Sequence, residues 1–340
     1  MDNNSELKIL AQIYRSSQRV FSCKIVDSNL LVEATALGLL LKRGDLVVGD
    51  YVYLKNEKDG ENNYVIIERR ERKSQIFRMN MREGVKRITA ANIDLLVIVI
   101  AASKPAYKQG LLDRYLVRSY QWEIPTIVVF NKMDEYNNSK DKDESEFDID
   151  FENDRLASLN IEGFEISAID PSYAHKYLNK GLAELKDFIV GKSSLFLGAS
   201  GVGKSKLIET LTNGEIKLKS GSVGKVGKGV HTTSWSEIVE YGDYKFFDSP
   251  GIRSFSLEDI CKEDVINYFP DINEFISKCE FVNCKHDINS KGCAILSLLE
   301  GDNYLEKEKK IILTRLNSYL HILEEVSQTA SWIKKNKFQK

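Results

Sequence analysis

Residues Gly198-Ala199-Ser200-Gly201-Val202-Gly203-Lys204-Ser205 satisfy G-x-x-x-x-G-K-[ST] at every fixed position, and this stretch decides the fold. Ahead of it, Ser194-Leu195-Phe196-Leu197 reads as a short buried strand. Behind it, Lys206-Leu207-Ile208-Glu209-Thr210-Leu211 has helical spacing. A strand, a glycine-rich loop and a helix start, in that order, make a P-loop. Main-chain N–H groups converge on an anion, and the glycines let the backbone approach it closely. Lys204 is then expected to reach the β- and γ-phosphates, and the Ser205 hydroxyl to bind Mg²⁺. A glycine-rich turn matching by chance would lack the flanking strand and helix. The stretch implies a nucleoside triphosphate site in an α/β domain.

Upstream, Ile93 to Ile100 is a near-continuous apolar run of the parallel-sheet kind, and Leu111 to Trp122 has amphipathic helical spacing. The next strand, Thr126 to Phe130, leads into Asn131-Lys132-Met133-Asp134, an N-K-x-D box. The carboxylate of such an aspartate accepts from guanine N1–H and the 2-amino group. Adenine lacks those donors and would leave a buried carboxylate unsatisfied. The asparagine supports base and loop, and the lysine stem covers the ring. An acidic, polar stretch over 135–155 reads as an exposed loop entering a helix. Then Gly163 to Ala168 reads as a strand ending in Ser167-Ala168, the pair of the fifth guanine-nucleotide box, whose alanine N–H meets guanine O6.

Downstream, Lys217 to Lys228 is basic and glycine-rich, the composition of a mobile switch loop. It ends at Gly229-Val230-His231-Thr232-Thr233, and either Thr232 or Thr233 suits a second Mg²⁺ ligand. Strands over Ser236–Tyr241 and Tyr244–Phe247 then deliver Asp248-Ser249-Pro250-Gly251, a D-x-x-G box. Asp248 is expected in the Mg²⁺ shell and the Gly251 N–H at the γ-phosphate. The boxes are circularly permuted, because N-K-x-D and Ser-Ala precede the P-loop instead of following it. Termini that lie close together allow the same sheet to be reconnected in this way.

Beyond D-x-x-G come Cys279, Cys284, His286 and Cys293. Three thiolates and one imidazole fill a tetrahedral shell with no open position, which predicts one structural zinc. Cys23 and Cys261 stand apart and read as ordinary buried thiols. Asn303 to Lys340 reads as a long amphipathic helix with a basic end.

At the other end, residues 1–70 read as five short strands: Val20–Val26, Leu30–Thr35, Leu46–Val48, Tyr51–Leu54 and Tyr64–Ile67. That pattern suits an OB-fold barrel or another small barrel, and these residues alone do not separate the two. Eight basic side chains follow between Arg69 and Arg87, against Glu71 and Glu83, with Phe77 interleaved. Beside a barrel they suggest a phosphate-contacting seam.

With 340 residues, 42% hydrophobic and 29% charged, the chain can fill two or three domains. The boundaries expected are 1–72 for the barrel, 73–257 for the permuted GTPase domain and 258–340 for a metal-binding helical domain. A start of Met-Asp-Asn-Asn-Ser-Glu lacks the build of a signal peptide, and the apolar run Ile93–Ala102 is too short to cross a bilayer. Together with clustered cysteines these features predict a cytoplasmic protein that makes no use of membranes.

The barrel, the permuted boxes and the C-terminal Cys-Cys-His-Cys set together resemble the RsgA family, also called YjeQ or YloQ. The likeness covers nearly the whole chain and extends to Ala90-Ala91-Asn92-Ile93-Asp94, Leu112-Asp113-Arg114-Tyr115-Leu116-Val117 and Gly229-x-His231-Thr232-Thr233. It implies an OB-fold barrel and hydrolysis of GTP to GDP with Mg²⁺. It also implies stimulation by the 30S ribosomal subunit and its 16S rRNA during late small-subunit maturation, with the protein acting as a monomer. One departure is the His286-to-Cys293 loop, a residue longer than the family's usual spacing. Ile252, directly after D-x-x-G, cannot orient water, so the free enzyme is expected to be slow. His231 is the nearest substitute, and the resemblance also favours it as the catalytic residue; its other reading is packing or RNA contact. Two rival functions remain. One is a GTP-gated assembly factor of another ribosomal particle that hydrolyses only for release. The other, a guanine-independent P-loop ATPase or kinase, is opposed by Asn131 and Asp134.

Overall fold

The computed structural model describes residues 8–17, 20–38, 40, 46–57, 64–80, 83–138, 147–216, 237–248, 256–287 and 289–337, with the backbone alone at 248 and 329–337. Five N-terminal strands come first: β1 (Ile9–Ser16), β2 (Phe21–Ile25), β3 (Leu31–Ala36), β4 (Tyr51–Asn56) and β5 (Tyr64–Arg69). They pair in the order β1-β2-β3-β5-β4, β3 with β5 in parallel, and β4 returns to β1. This closed five-strand ring is the OB-fold barrel. Its strands alternate as half-buried strands do: along β3, Val32, Ala34 and Ala36 point inward while Leu31, Glu33 and Thr35 are exposed. Cys23 lies in the barrel core, where burial pushes its thiol up to about 12.

The strand number expected is right, but one member differs. Leu46–Val48 is not a strand. The Asp50 carboxylate accepts the Val47 N–H at 2.9 Å and is gripped by Arg72 Nε and Nη2, which folds the segment into a buried turn. Val48 makes only an isolated bridge to Ala90. The fifth strand is β1. It pairs with β2, β4 and a strand of the α/β sheet, so four successive residues, Ala11 to Tyr14, are buried, and the period-2 signature is lost.

A separate hairpin, β6 (Gln75–Asn80) with β7 (Val85–Ala91), carries Arg78, Lys86 and Arg87 of the basic stretch, with Arg78 opposite Arg87. The α/β part then runs β8 (Leu95–Ala101), α1 (Gln109–Trp122), β9 (Thr126–Asn131), α2 (Met133–Asn138), α3 (Ile149–Ala157), β10 (Glu162–Glu165), α4 (Leu182–Ile189), β11 (Ser193–Leu197), α5 (Lys204–Leu211), β12 (Glu237–Tyr241) and β13 (Tyr244–Asp248). Its strand order is β10-β9-β8-β11-β13-β12. β8, β9, β11 and β13 are parallel, and β12 is antiparallel to β13. β8 and β11 are buried at every residue, as central parallel strands covered on both faces must be. Pairing of Glu237 in β12 with Arg15 in β1 joins this sheet to the barrel. Glu240 in β12 reinforces the joint by binding Lys24, Lys245 and the Tyr14 hydroxyl. The stretch expected as a loop from 135 onward instead begins as α2; residues 139–146 lie outside the described residues.

The chain divides into two compact units. One comprises Met1–Tyr107, Trp122–Ser145 and Gly163–Ser254, and the other Lys108–Gln121, Glu146–Glu162 and Phe255–Lys340. Helices α1 and α3, which lie between sheet strands in sequence, thus group with the C-terminal elements. These are a 3-10 helix (Lys262–Tyr268), α6 (Pro270–Ile276), α7 (Ala294–Glu300) and α8 (Glu306–Lys337). The core of this second unit includes Val117, Leu257, Phe269, Ile295, Leu316 and Ile322. Through it runs a buried ionic cluster: Asp113 of α1 accepts from Arg155 of α3 and from Arg315 and Ser318 of α8. Arg155 also binds Glu152, and Arg315 binds Asp271. Burial alone would raise the Asp113 carboxyl, but the two guanidinium groups more than offset it and hold the group below its usual range. Cys261, expected to be buried, is exposed at the start of the 3-10 helix. Among the described residues no helix is long and apolar enough to cross a membrane.

Candidate functional site

The P-loop spans the gap between the end of β11 at Leu197 and the start of α5 at Lys204. Two of its glycines are there for space as well as conformation. Gly198 has φ +147° and a Cβ on it would lie 2.4 Å from the Val99 carbonyl oxygen. Gly203 has φ +98° and a Cβ would lie 2.3 Å from Asn131 Nδ2. Any side chain would force the loop off the sheet or off the N-K-x-D box. The Lys204 ammonium donates to the carbonyls of Gly198 and Ala199, each at 2.8 Å, which places its charge inside the loop. Ser200 and Gly201 form the exposed crest, Val202 is buried beneath it, and Ser205 is in the first turn of α5.

Asn131, 1% exposed at the end of β9, joins the three segments of the site. Its Nδ2 donates to the Val202 carbonyl at 2.9 Å, and its Oδ1 accepts the Ala168 N–H at 2.9 Å. The P-loop and the Ser167-Ala168 pair are therefore held by a single side-chain amide. Thr210 of α5 adds a further tie, donating to the Ala168 carbonyl at 2.6 Å. The Ala168 N–H, assigned from sequence to guanine O6, is here the donor to Asn131. Ser167 is buried, and its hydroxyl accepts the Asp170 N–H. Lys132 takes φ +65°, and its ammonium donates to the Lys104 carbonyl at 2.6 Å, laying the stem across the site's edge.

Asp134, one residue into α2, is the most telling group. Its Oδ1 is buried with no hydrogen-bond partner, and no other buried side-chain nitrogen or oxygen among the described residues is so placed. Buried acceptors are normally paired, because leaving one unsatisfied costs about 1–3 kcal/mol. The geometry thus offers a buried acceptor beside an anion-binding loop. That arrangement suits a base with edge donors.

Asp248 closes β13, its backbone opposite Glu237. His231, Thr232, Thr233 and Gly251, with the loop over 217–228 and Ile252, lie outside the described residues. Two residues with no sequence signature also belong to the site's surroundings. Glu165 is fully buried at the end of β10, and Asn137 of α2 is hydrogen-bonded to two tyrosines of the loop after Ala168.

In the second unit, the ligand atoms of Cys279, Cys284, His286 and Cys293 all lie within 4.8 Å of one another. His286 presents Nδ1, 3.7 Å from Cys279 Sγ and 3.6 Å from Cys293 Sγ. Burial holds the His286 imidazole below its usual range, favouring the neutral, ligating form. The longer loop before Cys293 still closes. Asp287 organises it by accepting the Asn289 N–H at 3.1 Å and the Ser290 hydroxyl at 2.9 Å. Four converging donors of this kind fit a structural metal site.

The family model for the RsgA GTPase matches residues 69–258. The chain belongs to the RsgA GTPase family. Its relatives include proteins named small ribosomal subunit biogenesis GTPase RsgA. The one from Flavobacterium psychrophilum is 29% identical over 326 residues, 93% of each chain. The one from Pseudomonas aeruginosa is 34% identical over 288 residues, 84% of this chain and 77% of that one. The crystal structure of YjeQ from Thermotoga maritima superposes with a TM-score of 0.71 at 22% identity, covering 94% of this chain and 99% of that one. YloQ, described as a circularly permuted GTPase, gives 0.66 at 20% identity. These two establish the likeness of fold.

Proposed function

We propose that this protein hydrolyses GTP to GDP and phosphate, is stimulated by the 30S ribosomal subunit, and acts in late maturation of that subunit as a cytoplasmic monomer. The observation that carries the nucleotide choice is the buried, unpartnered Asp134 Oδ1. Guanine N1–H and its 2-amino group are the donors that complete it, and adenine has neither. Asn131 keeps the P-loop and Ser167-Ala168 in one frame, while the Lys132 stem covers the ring. The N–H groups from Gly198 to Gly203 and the Lys204 ammonium take the phosphates. Ser205, Asp248 and Thr232 or Thr233 would hold the Mg²⁺, which supplies charge neutralisation between the β- and γ-phosphates. The Gly251 N–H reads the γ-phosphate.

With Ile252 unable to orient water, His231 at the end of the basic loop is the candidate group for that task. The lysines Lys217, Lys219, Lys225 and Lys228 ahead of it suit contact with 16S rRNA, which would couple binding of the subunit to turnover. The OB-fold and the basic β6–β7 hairpin suit the same RNA. Cys279, Cys284, His286 and Cys293 would take one structural zinc, a choice favoured by three thiolates and one imidazole.

Competition of GTP and ATP for the purified protein tests the base. Equal affinity for the two would overturn the reading of Asp134. Turnover with and without 30S, together with sedimentation against 30S, 50S and 70S particles in GTP, GDP and a non-hydrolysable analogue, tests the partner. Association with a different particle, or no acceleration by 30S, would overturn that part.

A further inference from the structure

The loop from Ile169 to Lys180 follows the Ser-Ala pair and has no regular secondary structure. It is organised around one carboxylate. Glu165 is 0% exposed, a place where an unpaired carboxylate would be strongly destabilised. Four donors satisfy it. Oε1 accepts the Tyr173 hydroxyl at 2.5 Å and the Lys176 N–H at 2.9 Å. Oε2 accepts the Tyr177 N–H at 2.7 Å and the Leu178 N–H at 2.9 Å. Three consecutive backbone amides and a phenol therefore converge on a single side chain, as they do around a bound anion.

The same loop reaches the helix that carries Asp134. Asn137 Nδ2 donates to the Tyr173 oxygen at 2.7 Å, and the Tyr177 hydroxyl donates to Asn137 Oδ1 at 3.0 Å. Tyr136 packs edge-on against Tyr177 with ring centroids 5.9 Å apart. At the other end of α2, the Met133 N–H donates to the Ile166 carbonyl at 3.2 Å, next to Glu165 in sequence. Asp134 lies between these two attachments, one helical turn from Asn137. The chain Glu165–Tyr173–Asn137 is a continuous run of hydrogen bonds in which each member polarises the next.

We propose that Glu165 is a positioning residue for guanine recognition, holding Asp134 in register with the base through Tyr173, Tyr177 and the Asn137 amide. This rests on reading Asp134 as the guanine acceptor. A carboxylate that must meet two donors at once tolerates little displacement, and α2 is only six residues long, so its orientation comes from its attachments. Loosening the clamp should affect the base contacts and leave the phosphate contacts of the P-loop intact.

The test compares the affinities of GDP and IDP, which differ only in the 2-amino group, for the full-length protein and for Tyr173→Phe, Asn137→Ala and Glu165→Gln. The wild type should prefer GDP by roughly tenfold to a hundredfold, the range for one hydrogen bond to a charged acceptor. Each variant should lower that preference to within about threefold of unity, with GDP affinity falling more than IDP affinity, because GDP loses both contacts to Asp134 and IDP only the N1–H contact. A general loss of stability would scale both affinities together and leave the ratio alone. Tyr173→Phe removes one oxygen from a partly exposed side chain, so it tests the clamp even where Glu165→Gln does not fold. A wild type without preference for GDP overturns the guanine reading itself. A wild type that discriminates, with Tyr173→Phe and Asn137→Ala that discriminate equally well, overturns the role of Glu165 alone.

Discussion

Replacing Asp113 by alanine should loosen the second compact unit by an amount that follows from its partners. The carboxylate is 0% exposed and accepts from Arg155, from Arg315 at 2.6 Å and from the Ser318 hydroxyl. Breaking a buried ion pair by removing one partner costs about 3–5 kcal/mol. Each arginine keeps another carboxylate, Glu152 at 2.6 Å or Asp271 at 2.7 Å, which places the loss near the lower end, about 3 kcal/mol. Hydrogen exchange of the α1 and α8 amides reads this directly, and exchange through opening of the unit should accelerate on the order of a hundredfold. Asp113→Asn keeps the shape and one acceptor, so it should fall between wild type and Asp113→Ala. The pH dependence has a defined sign. Asp113 titrates below its unfolded value of about 3.9, so its contribution is fully present above that pH and is lost as pH falls through the folded value. Wild type and Asp113→Ala should therefore converge in strongly acid solution. A difference below about 1 kcal/mol at neutral pH would mean that the arginines find equivalent partners unaided and that Asp113 does not hold the unit together.

Three further outcomes are expected. Asp134→Asn should shift preference from GTP towards xanthosine triphosphate, whose 2-oxo group suits an amide donor, in a competition assay; unchanged selectivity would remove Asp134 from the base site. Elemental analysis should find about one zinc per chain, and Cys284→Ser should lose it and expose residues beyond Phe255 to proteolysis while GTP binding survives. Metal-free protein with a protease-resistant C-terminal region would contradict the closed site. His231→Ala should keep GTP and 30S binding but lose about a hundredfold of the 30S-stimulated turnover, as expected for one positioned acid–base or orienting group; full stimulation would assign the water to another group.

The elements legible from sequence were those whose signal is local. β8 and β11 are continuous apolar runs because both faces are covered, and α1 and α8 carry helical periodicity over many residues. β1 was not legible, because pairing on three sides buries Ala11 to Tyr14 without alternation. Leu46–Val48 looked like a strand from composition, and a side chain two residues beyond it, Asp50, makes it a turn.

By itself, the sequence determined the chemistry that depends on residue type and spacing: a P-loop, an N-K-x-D box, a permuted order and a closed set of metal donors. Glycines, a lysine, a carboxylate and thiolates act through their own atoms, so their identities carry the meaning. Tertiary structure alone decided how those groups are held. Asn131 joins Val202 to Ala168 across 71 and 37 residues of chain. Asp113 meets Arg315 across 202 residues, and Glu165 gathers amides from a loop with no pattern of its own. Such residues resemble any other polar residue in a one-dimensional string. Their role comes from burial, which makes an unpaired charge or amide costly and therefore ties each to whatever partner the fold brings within reach.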